Sequence, residues 1–263
     1  MPFEHVVVHI PHSSVFIPED YRSTIVLDDE MLSREIIAMT DAFCDELFGW
    51  DEEFPVRILC PVSRLICDVE RFRSDQDECC AQKGQGLMYL RGVDYKKIRD
   101  YDETLRNRIL AEFYDPHHAR LTAAVDQALE TCGRCTILDG HSFSSSLPVL
   151  PISLFDLPDF CIGTDRFHTP PALRTAMAEA CREHGYSVKI NFPYSGTITP
   201  MKHYGTDNRV LSVMVEVNRK LYLNERTMTK SDGFEKTKEM CRVLMETAAR
   251  FGEGKTTEEI WRP

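Results

Sequence analysis

No stretch of the 263-residue chain is apolar for long enough to cross a membrane. Its first residues, Met1-Pro-Phe-Glu-His, have neither the basic region nor the long apolar segment of an export signal, so we expect a cytoplasmic protein. Positive charge is also scarce: 31 Lys and Arg stand against 42 Asp and Glu, a formal net charge of -11. An acidic chain lacks the extended basic surface that a nucleic-acid backbone or an anionic bilayer needs, so neither is an expected partner. Local arginine clusters remain suited to a small anion. There is no internal repeat and no linker that would cut the chain, and we expect one catalytic domain over 1–263 with a sizeable core.

Several local motifs are missing as well. Gly84-Gln-Gly86 lacks the downstream pattern of a nucleotide-binding fingerprint and reads as a loop or a flexible rim. Cys132-Gly-Arg-Cys135 has no second CxxC to complete a thiolate zinc site, and there is no HExxH. Without an export signal, the ten cysteines read as reduced thiols packed as small hydrophobes, with the adjacent Cys79 and Cys80 incidental in a polar loop.

What is present is an alternation of strand and helix patterns. Val6–Ile10 is a β-branched run stopped by Pro11, which delivers His12 to a loop and leaves His9 inside the strand. A helix is expected from about Asp28 to Phe48, capped by Asp28, with Asp41 on its apolar stripe beside Ile37 and Cys44. A carboxylate so placed needs a cation, a metal or strong donors. Pro55 to Val69 reads as an irregular strand leading to Asp68-Val-Glu-Arg-Phe-Arg73, where Arg71 and Arg73 form either a surface ion network or a clamp for a substrate carboxylate.

A helical spacing runs from Asp94 to Tyr114, and Asp115-Pro116 restarts it with a cap, placing His117 and His118 in a first turn, on the surface or near an anion. Thr136 to Ser146 is a buried strand broken by Asp139, Gly140 and His141, which we expect at the mouth of a loop. Further strands are expected at Phe160–Asp165, Ser187–Phe192 and Val210–Val217, the last central and carrying Glu216. Helices follow at Thr169–His184 and Ser231–Phe251. The pattern predicts an α/β fold, a three-layer α/β/α sandwich with a parallel or mixed central sheet.

If the strand ends share one edge, they supply a metal-assisted hydrolase. Two imidazoles and a carboxylate, best His12, Asp41 and His141, would hold one zinc ion with a position open. The metal would make hydroxide available at neutral pH, and Glu216 would act as general base. Asp139 either orients a ligand histidine or ligates the metal itself.

The segments His9-Ile-Pro-His-Ser-Ser14, Thr40-Asp41, Ser63-Arg-Leu-Ile-Cys-Asp-Val-Glu-Arg71, Asp139-Gly-His-Ser142, Asn191-Phe-Pro-Tyr-Ser-Gly196 and Glu216-Val-Asn-Arg-Lys-Leu-Tyr222 resemble the N-formylglutamate amidohydrolase family, in the same order and over nearly the whole chain. The resemblance implies a phosphorylase/hydrolase-like fold related to the zinc carboxypeptidases. It also implies hydrolysis of N-formyl-L-glutamate to formate and glutamate at the end of a histidine degradation route. His12, Arg71, His141 and Glu216 match the order of ligand, substrate arginine, ligand and catalytic glutamate in that wider group.

Two positions depart from the pattern. Carboxypeptidases place a glutamate three residues after the first histidine, where this chain has Val15, so Asp41 stands in as third ligand. Glu70 occupies a position where many family members have asparagine. Arg71, with Arg73, Arg219 and Asn191, is expected at the substrate, and His9, Glu70 and Asp139 as supporting groups or alternative ligands. The rival readings are a zinc carboxypeptidase or other deacylase on a different amide, and a non-catalytic binding protein of the same fold.

Overall fold

The computed structural model describes residues 3–49, 54, 56–145 and 156–261; Pro55 and Ser146, which begin and end two of the expected strands, lie outside these. In chain order the elements are β1 (Val6–Ile10), α1 (Glu19–Arg22), α2 (Asp29–Met39), α3 (Cys44–Leu47), β2 (Val56–Leu59), α4 (Glu103–Ile109), α5 (Asp115–Cys132), β3 (Cys135–Phe143), β4 (Phe160–Thr164), α6 (Pro171–Glu183), β5 (Val188–Ile190), β6 (Val210–Asn218), β7 (Leu223–Asn224), β8 (Thr229–Lys230), α7 (Phe234–Arg250) and α8 (Thr257–Ile260). The chain divides into two compact units: Met1–Ile10, Phe43–Arg57 and Thr122–Pro263 form the first, Pro11–Ala42 and Ile58–Leu121 the second.

The first unit is built on a six-stranded sheet of order β2-β1-β3-β6-β4-β5. β1, β3 and β6 run parallel, while β4 pairs antiparallel with β6 and parallel with β5, so the sheet is mixed. Every residue of β1, β3 and β6 is buried, the near-continuous apolar run of a strand covered on both faces. Helices α6 and α7 pack on each other, α6 on β4 and β5, and α7 on β3. The expected α/β architecture is therefore what the chain adopts. Asp139 and His141 lie inside β3 rather than at a loop mouth, because β6 stays in register as far as Phe143 opposite Asn218. Gly140 is required between them, since a Cβ there would sit 2.6 Å from the Phe48 ring.

In the second unit, Tyr21, Leu65, Ile66, Leu87, Tyr89, Ile98 and Ile109 share one apolar core. Asp28 caps α2 as expected, its carboxylate accepting from Met31 N at 2.8 Å. That helix stops at Met39, shorter than the run to Phe48 that the apolar spacing suggests. Thr40 turns extended, and Asp41 N then donates to the His12 carbonyl at 2.9 Å instead of continuing the helical ladder. Asp41 is buried nonetheless, at a chain break rather than on a stripe.

The helix expected from Asp94 begins only at Glu103, capped by Asp102, which accepts from Leu105 N at 2.9 Å. It does not break at Asp115-Pro116 either, because Leu110–Tyr114 form a π turn that runs straight into α5. Pro116 has no N–H to donate, and a widened turn just before it absorbs that loss without ending the helix. His117 is consequently fully buried, and His118 donates from Nε2 to Val69 O at 2.8 Å, so neither is the surface residue its sequence position suggests.

Candidate functional site

In the second unit the polar centre is Asp68, fully buried within the apolar run Leu65–Val69. Its Oδ1 takes His12 Nε2 at 2.8 Å and Glu70 N at 3.1 Å. Its Oδ2 takes Arg64 Nη2 at 2.7 Å and the Tyr89 hydroxyl at 2.8 Å, with Arg71 Nε 3.4 Å away. Burial opposes the charge on Asp68, but Arg64, His12 and Arg71 together hold its carboxyl well below the usual range. Burial and the Arg64 charge work against protonating His12, yet Asp68 and Asp41 outweigh them and raise its pKa. On the ring's other side, Nδ1 lies 3.6 Å from Asp41 Oδ2 and 3.9 Å from Glu70 Oε2.

This donor set suits a divalent metal. A nitrogen and a carboxylate oxygen sharing a tetrahedral zinc ion, each at roughly 2.1 Å, are about 3.4 Å apart. The His12–Asp41 span is close to that. A ligand histidine also needs its second nitrogen fixed by a carboxylate, which Asp68 supplies.

The first unit holds a second buried carboxylate, Asp139. Laterally paired residues of neighbouring strands share a face, and so do residues two apart along a strand. His9 pairs with Asp139 and His141 with Glu216, so all four side chains share one face of the sheet. Asp139 Oδ1 meets His9 Nδ1 at 2.8 Å and His141 Nε2 at 3.1 Å, and Oδ2 accepts from Ile198 N at 3.1 Å. Burial again opposes ionisation, and the two imidazoles overcome it, pushing Asp139 far below the ordinary carboxylate range. Both histidines nominated as ligands are thus engaged through Nε2 by a buried aspartate, with Nδ1 as the second nitrogen. Within this unit the Asp139 carboxylate is hydrogen-bonded to His141 as well as to His9. Glu216 is buried at 6% exposure, and Arg219, 5% exposed, donates from Nε to Ser142 Oγ at 3.3 Å.

Two expected substrate residues sit elsewhere. Arg73 is 61% exposed and pairs with Asp115, Nε and Nη2 each 3.1 Å from a carboxylate oxygen. Asn191 is exposed with a left-handed backbone (φ 54), and its side chain bonds the backbone N and hydroxyl of Thr164, stapling the ends of β5 and β4. Arg71 and Arg73, paired in the sequence as a clamp, therefore face different partners. Sequence reasoning passed over Asp68, Arg64 and Tyr89 as site residues. An acid inside an apolar run flanked by Arg64 and Arg71 was the available signal.

The model of the N-formylglutamate amidohydrolase family matches residues 4–223. An N-formylglutamate deformylase of Pseudomonas aeruginosa is 31% identical over 241 residues, covering 85% of this chain and 87% of that one. The crystal structure of an N-formylglutamate amidohydrolase from Ralstonia eutropha superposes with a TM-score of 0.76 at 23% identity, covering 94% of this chain and 93% of the other. A gene product of Agrobacterium tumefaciens gives a TM-score of 0.67 at 21% identity, covering 92% and 90%.

Proposed function

The chain belongs to the N-formylglutamate amidohydrolase family, and from that premise we propose that it hydrolyses the amide of an N-acylated acidic amino acid, N-formyl-L-glutamate first among them, to formate and glutamate. His12, Asp41 and His141 are the residues we propose as ligands of one zinc ion. The observation that carries this choice is the pair of buried carboxylates, Asp68 and Asp139, each fixing one of these imidazoles through Nε2. When bound, the metal would supply Lewis acidity and lower the pKa of water.

The remaining work falls to side chains of this protein. Glu216 takes a proton from the attacking water and returns it to the leaving amine. Arg71, partly exposed beside Asp68, offers its guanidinium to a substrate carboxylate, which it binds as a charge-assisted pair. Arg219, fixed by Ser142, is the second candidate for that role. We take the whole of 1–263 as one catalytic domain, acting in the cytoplasm on a small molecule. No described helix is long and apolar enough to cross a membrane, and the free state of all ten cysteines fits a reducing compartment.

Purified protein, metal-stripped and then reloaded with zinc, should release formate from N-formylglutamate and leave N-acetylglutamate and peptides untouched. Glu216→Gln should lower kcat by about 10²–10⁴-fold while retaining metal. Turnover of peptides or acetyl compounds in place of the formyl substrate would favour the deacylase or carboxypeptidase rival. Zinc binding with no turnover of any of them would favour the binding protein, and failure to bind zinc at all would remove the metal-based reading.

A further inference from the structure

The adjacent cysteines have a third partner. Cys79 and Cys80 open a short 3-10 helix, Cys79–Lys83, whose preceding residue Glu78 turns its carboxylate back over the turn. Glu78 is buried, Cys79 is exposed and Cys80 is half-buried. The two Sγ atoms are 4.0 Å apart, and Cys79 Sγ lies 3.7 Å from Glu78 Oε1. One ligand atom from each of the three residues lies within 4.8 Å of the others.

Those spans match the edges of a tetrahedron around a thiophilic ion. Two thiolates about 2.3 Å from one zinc-sized ion are about 3.8 Å apart, and a thiolate and a carboxylate oxygen on the same ion about 3.6 Å. A disulfide is a poorer fit. It requires the sulfurs to close to about 2.05 Å, and neighbouring residues, with Cα atoms about 3.8 Å apart, fall short of the usual separation for that bond.

The carboxylate is also held in place. Its Oε2 accepts from Phe72 N at 3.1 Å, and its Oε1 accepts from Cys80 N at 2.9 Å. An ionised carboxylate oxygen has more than one lone pair, so Oε1 can accept the Cys80 amide and still ligate. Burial raises the Cys80 thiol above its ordinary pKa, with the nearby Arg71 charge opposing it, so metal would have to displace a proton there.

We propose that Glu78, Cys79 and Cys80 form a second metal site, distinct from the histidine ligands, for one soft divalent cation such as zinc or cadmium. Two thiols lose their protons to solvent as two metal–sulfur bonds form, nothing is oxidised, and the fourth position is left to water. The bound ion would tie the turn at 78–80, through Glu78, to the backbone just after Arg71. The inference stands whether or not the chain is a hydrolase.

Cadmium alone, titrated into the intact protein with a non-thiol, non-chelating reductant present, is the test. Histidine and aspartate ligands give no sulfur-to-cadmium charge-transfer band in the ultraviolet, so that band reports cysteine ligation, and the variants assign it to a site. It should saturate at one ion per chain and persist in Cys132→Ser. In the double variant Cys79→Ser/Cys80→Ser it should vanish, with the far-ultraviolet circular dichroism unchanged. Glu78→Gln should weaken the apparent affinity at least tenfold. No band in the wild-type protein, a band that survives the double variant, or one lost in Cys132→Ser would overturn the proposal.

Discussion

Two buried aspartates, one in each unit, solve the same problem with different cations. Each accepts from a backbone amide; beyond that, Asp68 is held by two guanidinium groups, a tyrosine hydroxyl and one imidazole, whereas Asp139 is held by two imidazoles. Despite burial, Asp68 holds Arg64 and Arg71 above the ordinary arginine value, so both stay charged at every accessible pH and the field on Asp68 does not switch off. The partners of Asp139 are instead imidazole N–H groups and an amide, which hydrogen-bond without a fixed guanidinium charge. The difference separates a platform of fixed charge from one without it. The largest effect should therefore come from Asp68→Asn, which leaves the half-buried guanidinium groups of Arg64 and Arg71 beside a neutral amide. Breaking a buried charge network from one side costs about 3–5 kcal/mol, and urea denaturation of the metal-free protein should show a loss of that order.

Asp139→Asn should cost less, about 1–3 kcal/mol, since no guanidinium is left beside the neutral amide and the amide oxygen can still accept a hydrogen bond. Proton linkage sharpens the contrast. Both carboxyls are depressed in the folded protein, so both contribute stability above the ordinary carboxylate range that is lost as pH falls through their folded values. Either variant should flatten that acid limb. His12 behaves oppositely: its raised pKa adds stability that is complete below about pH 6.5 and lost as pH rises through the folded value. The penalty of Asp68→Asn should thus be larger at pH 5.5 than at pH 9 in metal-free protein. Equal penalties at the two pH values would mean that His12 does not carry the charge that the Asp68 platform implies.

A third arginine of the second unit shows what the platform is worth. Arg99 is 2% exposed and donates from Nη2 to Leu65 O at 2.9 Å, but Nε and Nη1 have no hydrogen-bond partner among the described residues. Burial pushes its pKa down to about 10. With no ion-pair partner among the described residues, a cation costs stability instead of contributing it, so Arg99→Met should raise stability by about 1–3 kcal/mol, read from the denaturation midpoint. A loss of similar size would show that Arg99 has an acidic partner in solution.

How much of this the residues announced depends on whether the signal is local. Strands β1, β4, β5 and β6 and helices α6 and α7 stood where apolar runs and turn residues put them, because each is decided by its own side chains. Glu216, His141 and His12 were marked by polar atoms interrupting apolar runs. Asp41 was rightly expected to be buried, but the helix meant to bury it ends at Met39, since its amide bonds to the carbonyl of a residue 29 positions away. Spacing along the chain cannot register such a bond. The Asp68 platform was missed for the same reason: Tyr89 and His12 approach from 21 residues after and 56 before. The partner of Cys79 and Cys80 was one residue away, yet it counted only once the turn had folded the carboxylate back.

Arg71 and Arg73 make the narrowest test of the comparison, because they are two residues apart and the sequence treats them alike. Arg71 lies against the buried Asp68, which raises its pKa despite burial. Arg73 meets Asp115 at the surface, where both charges are largely solvated and screened by salt. An exposed pair of this kind contributes little, so Arg73→Ala should change stability by less than about 0.5 kcal/mol and leave kcat/KM within about twofold. Arg71→Ala, which removes one cation from the platform and the proposed grip on a substrate carboxylate, should instead raise KM and destabilise the fold together. A large KM effect from Arg73→Ala would mean that its guanidinium leaves Asp115 for the substrate, restoring the two-arginine clamp. An equally small effect from both variants would remove Arg71 as the substrate cation and leave Arg219, fixed by Ser142, as the candidate.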